Sequence, residues 1–219
     1  MVDDSQGGGR VVKALRWAAL LLLVFGGGLV ARATYLHAKA ELAAILIRRA
    51  WDETARTGKA TAPWSWADTH PVARLQIPRI GYDEYVLEGA SARVLAFGPA
   101  RLLSSARPGE AGNIALAGHR TSWFRPLEKV QNGDRVSLEW YDETKRESRT
   151  REYVVEEIRV VKPESTELLG PTSEDALTLI TCYPFGKSPK SPLRYIVRAA
   201  PLEARFVLAT SKTRQQGVH

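Results

Sequence analysis

From Trp64 onward, apolar and polar residues alternate with a period of two in a series of short runs. These are Arg74–Ile77, Tyr85–Leu87, Asn113–Ala117, Arg135–Trp140, Glu152–Val161, Ala176–Cys182 and Leu193–Ala199, each rich in β-branched or aromatic residues. A period of two turns one face of an extended segment toward a core, so the seven runs predict strands. Turn chemistry separates them: Pro78 and Gly81, Pro108-Gly109, Gly112-Asn113, Asn132-Gly133-Asp134, Pro163 and Gly170-Pro171. Short strands punctuated in this way predict an all-β domain, a sandwich or a closed barrel. Ser91–Phe97 and Ser122–Leu127 predict short helical turns among the strands.

The earlier part of the chain has another character. Met1–Gly9 is polar and Gly-rich and predicts a disordered tail. Arg10, Lys13 and Arg16 then precede an uninterrupted apolar run, Trp17–Ala31, closed by Arg32. The run is shorter than the roughly 20 residues that cross a bilayer. Val11–Leu15 and Ala33–Leu36 lengthen it, and the flanking arginines can snorkel. A membrane-spanning anchor with the N-terminus inside is therefore expected. A cleaved signal peptide, with Ala31-Arg32-Ala33 as a small-x-small site, is the competing reading. Both imply export of the remainder of the chain. Arg32, Lys39, Arg48 and Arg49 lie beyond the run, so charge alone sets no orientation. Ala38–Thr54 is built from strong helix formers and predicts a stalk helix, and Arg56–Pro63 reads as a linker. The expected division is a cytoplasmic tail at 1–13, a transmembrane anchor at 14–36, stalk and linker at 37–63, the β domain at 64–201 and a C-terminal tail at 202–219.

Composition narrows the chemistry. The net charge is +7, but acidic and basic residues interleave, as in Asp142–Glu157, which suits a solvated mixed-charge surface better than nucleic-acid binding. A single cysteine excludes an intramolecular disulfide and a Cys-rich zinc site. Gly7-Gly8-Gly9 and Gly26-Gly27-Gly28 lack the strand–turn–helix setting of dinucleotide binding, and no compact carboxylate cluster argues for calcium. No metal or cofactor is expected.

The one cysteine is well placed for reactivity. Leu177, Leu179 and Thr181 alternate with Thr178, Ile180 and Cys182, and Pro184 must end that strand, leaving Cys182 at its exit. A lone thiol in an exported protein is either buried and inert or kept for its reactivity. A thiol becomes a useful nucleophile when a neighbour stabilises its thiolate. Of the four histidines, His37 abuts the apolar run, His70 lies in the Trp/Pro approach and His219 is terminal. Only His119 ends a strand of the β domain. Arg194 sits near the start of the last strand, where a fixed guanidinium can donate to a carbonyl or an oxyanion. The bland alternative is a core cysteine, a surface histidine and a structural arginine.

Thr178-Leu179-Ile180-Thr181-Cys182 resembles the TLxTC signature of sortases, cysteine transpeptidases that attach proteins to cell surfaces. Asn113–Arg120 resembles the strand leading to the sortase histidine, and Leu193–Val197 the strand carrying its arginine. Pro78–Gly81 with Glu88–Ser91 is similar to the family's first strands. The order His, Cys, Arg agrees, over about 130 residues from Val72 to Pro201. Trp64–Asp68, Pro71–Leu75, Phe97–Pro99 and Cys182–Phe185 are similar to class D-like sortases of Gram-negative bacteria. One departure is Thr121, where those relatives commonly carry an acidic residue two places after the histidine.

The resemblance implies an eight-stranded barrel with short helices, preceded by a transmembrane helix and a stalk helix, with Cys182, His119 and Arg194 meeting at the barrel's edge. It implies that Cys182 attacks the threonine carbonyl of an LPxTG-like C-terminal sorting signal, that His119 protonates the leaving amine, and that Arg194 holds the oxyanion or the signal's backbone. Thr181 and Tyr183 are expected to touch substrate. Implied partners are proteins carrying such a signal, an amine acceptor in the cell envelope and membrane lipid around the anchor. The catalytic domain is then extracytoplasmic. An exported cysteine hydrolase uses the same three residues, and a non-catalytic membrane-anchored binding module uses none of them.

Overall fold

A computed structural model describes residues 5–186 and 192–202. It divides into two compact units, one ending at Ala44 and the other starting at Ile45. The first unit is the beginning of helix α1, Ser5–Thr57. The helix contains a stretch long and apolar enough to cross a membrane, with Leu15, Trp17, Leu20–Phe25, Leu29 and Val30 exposed along it. Two expectations change here. The segments expected as anchor and stalk lie in one helix, which already runs through the Gly-rich segment at Ser5, the first described residue. Extending an existing helix costs far less than nucleating one, so an adjoining helix can carry glycines that would not start one. It ends where sequence chemistry says it should: Gly58 takes φ +71 and donates its N–H to Thr54 O at 2.8 Å.

The second unit is a closed barrel. Its strands are β1 (Pro71–Ile77), β2 (Tyr82–Glu88), β3 (Ala100–Arg101), β4 (Asn113–Ala117), β5 (Arg135–Asp142), β6 (Glu147–Val161), β7 (Ala176–Tyr183) and β8 (Leu193–Pro201). Around the barrel they run β1-β2-β3-β4-β7-β8-β6-β5, and β5 pairs back onto β1. Two contacts are parallel, β2 with β3 and β4 with β7. All seven runs read from the sequence lie within strands. The eighth strand, β3, has two residues, too few to show a period, and it bridges β2 to β4 after Pro99. Short 3₁₀ turns occupy Val94–Ala96 and Arg125–Lys129, inside or beside the expected helical turns. Leu202 is the last described residue on that side, so the rest of the expected C-terminal tail lies outside the described residues.

Alternation decides which side chains fill the barrel. Ala73, Leu75 and Ile77 of β1, Val136, Leu138 and Trp140 of β5, Leu177 and Leu179 of β7, and Val197 and Ala199 of β8 join Ile114, Leu116, Phe124 and Tyr153 in one core. Each fully buried leucine among them contributes about 2 kcal/mol of transfer free energy. On the outer wall, Ile47 from the last turns of α1 packs with Leu87, Val94 and Ala100, flanked by Trp64 and Phe97. Trp51 meets Tyr85 with ring centroids 5.8 Å apart. The side chains left facing outward on β4, β7 and β8 form the remaining wall, where the candidate chemistry lies.

Candidate active site

Strand pairing fixes which residues share that wall. On β7 and β8, Leu177 pairs with Ala199 and Leu179 with Val197, all inward. The intervening partners therefore face out: Thr178 with Arg198, Ile180 with Ile196, and Cys182 with Arg194. On the other side of β7, the parallel register sets Ala115 beside Thr178 and Ala117 beside Ile180. His119 follows two residues beyond Ala117, at the end of β4 that abuts Ile180. Cys182 and Arg194 thus form a row across β7 and β8, and His119 lies just beyond β4, the strand on the other side of β7. Cys182 is a half-buried free thiol, His119 is exposed and Arg194 is half-buried. Arg194 Nη1 donates to Leu193 O at 3.0 Å, holding the guanidinium near the strand.

The backbone of His119 is held closely. Gly118 N–H donates to Ile180 O at 3.2 Å, and Thr181 Oγ1 donates to Gly118 O at 2.7 Å. His119 O then accepts from Ser122 N–H at 3.3 Å and Phe124 N–H at 3.0 Å, turning the chain sharply back. Gly118 is required by this packing: a Cβ there would stand 2.7 Å from Phe124 Cγ. Phe124 is fully buried and meets Tyr82 with centroids 6.2 Å apart.

Thr181 and Tyr183, expected to touch substrate, lie off the row. Thr181 is buried with its hydroxyl on Gly118 O. Tyr183 packs against Phe185 and Tyr195, stacking on Tyr195 with centroids 6.1 Å apart and planes 17° apart. Phe185 meets Tyr195 edge-on at 4.9 Å, and both pack against the barrel core. Burial raises the Tyr195 phenol above its ordinary pKa.

Two supports escaped sequence reasoning. Arg120, next to the histidine, donates from Nη1 to Pro184 O, just past the cysteine. Asn113 is almost fully buried at the start of β4 and accepts from Thr178 Oγ1 at 2.7 Å. Its amide donates to Leu168 O at 3.1 Å and Gly170 O at 3.3 Å, tying the helical turn Thr166–Leu169 onto the outer wall. A small cavity lies there, lined by Glu157, Arg159, Leu168, Thr178, Ile196 and Arg198. An asparagine opening an apolar strand was the sequence signal for the second support. The first left none beyond its place beside His119. Among the described residues, no group of three or more His, Cys, Asp or Glu is arranged to hold a metal ion.

The family model described as the sortase domain matches residues 75–202. Sortase D of Bacillus subtilis (strain 168) is 32% identical over 126 residues, covering 56% of this chain and 60% of that protein. The chain therefore spans less than two thirds of that relative. Among solved structures, a sortase D transpeptidase of Clostridium perfringens is 30% identical with TM-score 0.52, covering 61% of this chain and 79% of the other. Sortase A from Corynebacterium diphtheriae is also 30% identical, with TM-score 0.55 and 63% of each chain covered.

Proposed function

We propose that this chain, which belongs to the sortase family and is class D-like, is a cysteine transpeptidase acting on a C-terminal sorting signal. The observation that carries the reading is the cross-strand pairing of Cys182 with Arg194, with His119 leaving the adjoining end of β4. The signal lies extended along the outer wall of β7 and β8 with a threonine carbonyl at Cys182. Cys182 Sγ attacks that carbonyl, and Arg194 donates to the oxygen that gains charge or to the signal's backbone. The C–N bond breaks as His119 gives a proton to the leaving amine, and a thioester remains on Cys182. An amine from the cell envelope then attacks the thioester. The C–S bond breaks, His119 takes the proton released by the amine, and a new amide joins signal and acceptor. The mechanism requires no cofactor.

The expected signal is LPxTG-like. The apolar part of α1 anchors the enzyme in the membrane, with the barrel on the extracytoplasmic side.

The test uses full-length protein in detergent micelles with a panel of LPxTG-like peptides and an added amine. Mass spectrometry should find a thioacyl adduct on Cys182 and an amine-ligated product, both lost in Cys182→Ala. Hydrolysed peptide with no ligated product at saturating amine would show a hydrolase instead.

A further inference from the structure

The β4–β7 ladder stops just short of both reacting groups. Its last backbone bond runs from Gly118 N–H to Ile180 O, reinforced by Thr181 Oγ1 on Gly118 O. Past that point the histidine leaves on one turn and the cysteine leads into another. Arg120 crosses the gap. It is half-buried, and its Nη1 donates to Pro184 O, a contact between residues 64 apart in sequence. The far side of that segment is fixed by Tyr183 and Phe185 packing on Tyr195. Pro184 is thus flanked in sequence by two packed aromatic residues and held at its carbonyl by the Arg120 guanidinium.

We propose, on the transpeptidase reading, that Arg120 is a positioning residue for the thiol and imidazole. By tying the turn after His119 to the segment after Cys182, it holds the two side chains beside each other where no ladder bond does. A guanidinium suits the task, because a charged donor makes a shorter and stronger bond to a carbonyl than a neutral one. Arg120 is not required to touch substrate. Its loss should slow the chemical step without weakening substrate binding, since small misplacements of reacting groups are costly.

The experiment compares Arg120→Ala, Arg120→Gln and Arg120→Lys with wild type, as full-length protein in detergent micelles. Peptide-to-amine ligation gives kcat and KM, and iodoacetamide gives the alkylation rate of Cys182 without any peptide. The expected result for Arg120→Ala is a fall in kcat of about 10- to 100-fold with KM within about twofold, and a changed alkylation rate. Arg120→Lys, which keeps a charged donor, should recover most of both. Arg120→Gln should follow Arg120→Ala and supplies the same reading where the alanine variant does not fold. A kcat within about twofold of wild type in both, or a raised KM at unchanged kcat, would overturn the proposal. If wild type ligates none of the peptides, the transpeptidase reading falls, and the alkylation rates still decide whether Arg120 positions the pair.

Discussion

Cys182 and Arg194 are direct partners across the antiparallel β7–β8 ladder, so thiol and guanidinium leave the same face of the wall from facing positions. Facing partners in such a ladder have Cα atoms about 5 Å apart, and a guanidinium from there reaches a substrate carbonyl poised over the sulfur. Arg194→Lys keeps the charge and loses the planar fork. It is expected to lower kcat for ligation about 100-fold, the usual loss for one oxyanion donor. Steady-state kinetics, with Cys182→Ala as the inactive reference, checks this.

Gly118 offers a separate test of how His119 is held. A methyl group there meets Phe124 Cγ at 2.7 Å, and Phe124 is fully buried with little room to retreat. Gly118→Ala is expected to cost about 1–3 kcal/mol, as overpacking does, and to reduce ligation as the turn shifts. A thermal melt beside the activity assay checks both. Wild-type activity and melting temperature would show that the ring moves aside at no cost.

Tyr82 predicts a gain. Its hydroxyl is, among the described residues, the buried side-chain polar atom without a hydrogen-bond partner, and burial holds the phenol well above its ordinary pKa. Leaving such a group unsatisfied costs about 1–3 kcal/mol. Tyr82→Phe keeps the ring against Phe124 and removes the orphaned oxygen, so its melting temperature should rise. A fall would mean that the hydroxyl has a partner in solution.

Stability should also depend on acid through Asp134. Arg79 donates to its carboxylate from Nε and from Nη2, the latter at 2.7 Å, and Gln131 N–H donates at 2.8 Å. The Arg79 contact, ahead of the backbone donor, holds the Asp134 carboxyl below its ordinary pKa of 3.8. A depressed carboxyl stabilises the fold at pH above its unfolded value, and that contribution drains as the pH falls through about 4 and below. Asp134→Asn should lower the melting temperature at neutral pH and lessen its fall on acidification. Parallel curves for the two proteins would refute this.

Much of the barrel was legible because a wall with one wet face and one dry face writes a period of two into its strands, as in Leu177–Thr181 and Arg135–Trp140. β3 was hidden because two residues carry no period, and its place comes from Leu87 and Ala117 on either side. His119, Cys182 and Arg194 could be singled out by residue type and strand-end position, but the neighbouring of β4 with β7 depends on a parallel register that no local pattern encodes. Arg120 was opaque for a related reason: its partner is 64 residues away, and an arginine beside a histidine looks like any surface cation. Thr181 shows the converse. Its motif position suggests substrate contact, while alternation along β7 turns its hydroxyl to the Gly118 carbonyl.

The parallel pairing of Asn113 with Ala176 also bears on when the site comes into being. Between those residues lie β5 and β6, so this seam closes only after a long excursion of the backbone, and contacts so remote in sequence form slowly. Until the seam closes, Cys182 has neither His119 at one side nor a settled barrel behind it. On the proposed reading, a chain whose seam is still open therefore carries a thiol without its partners. Folding is then itself the activation step.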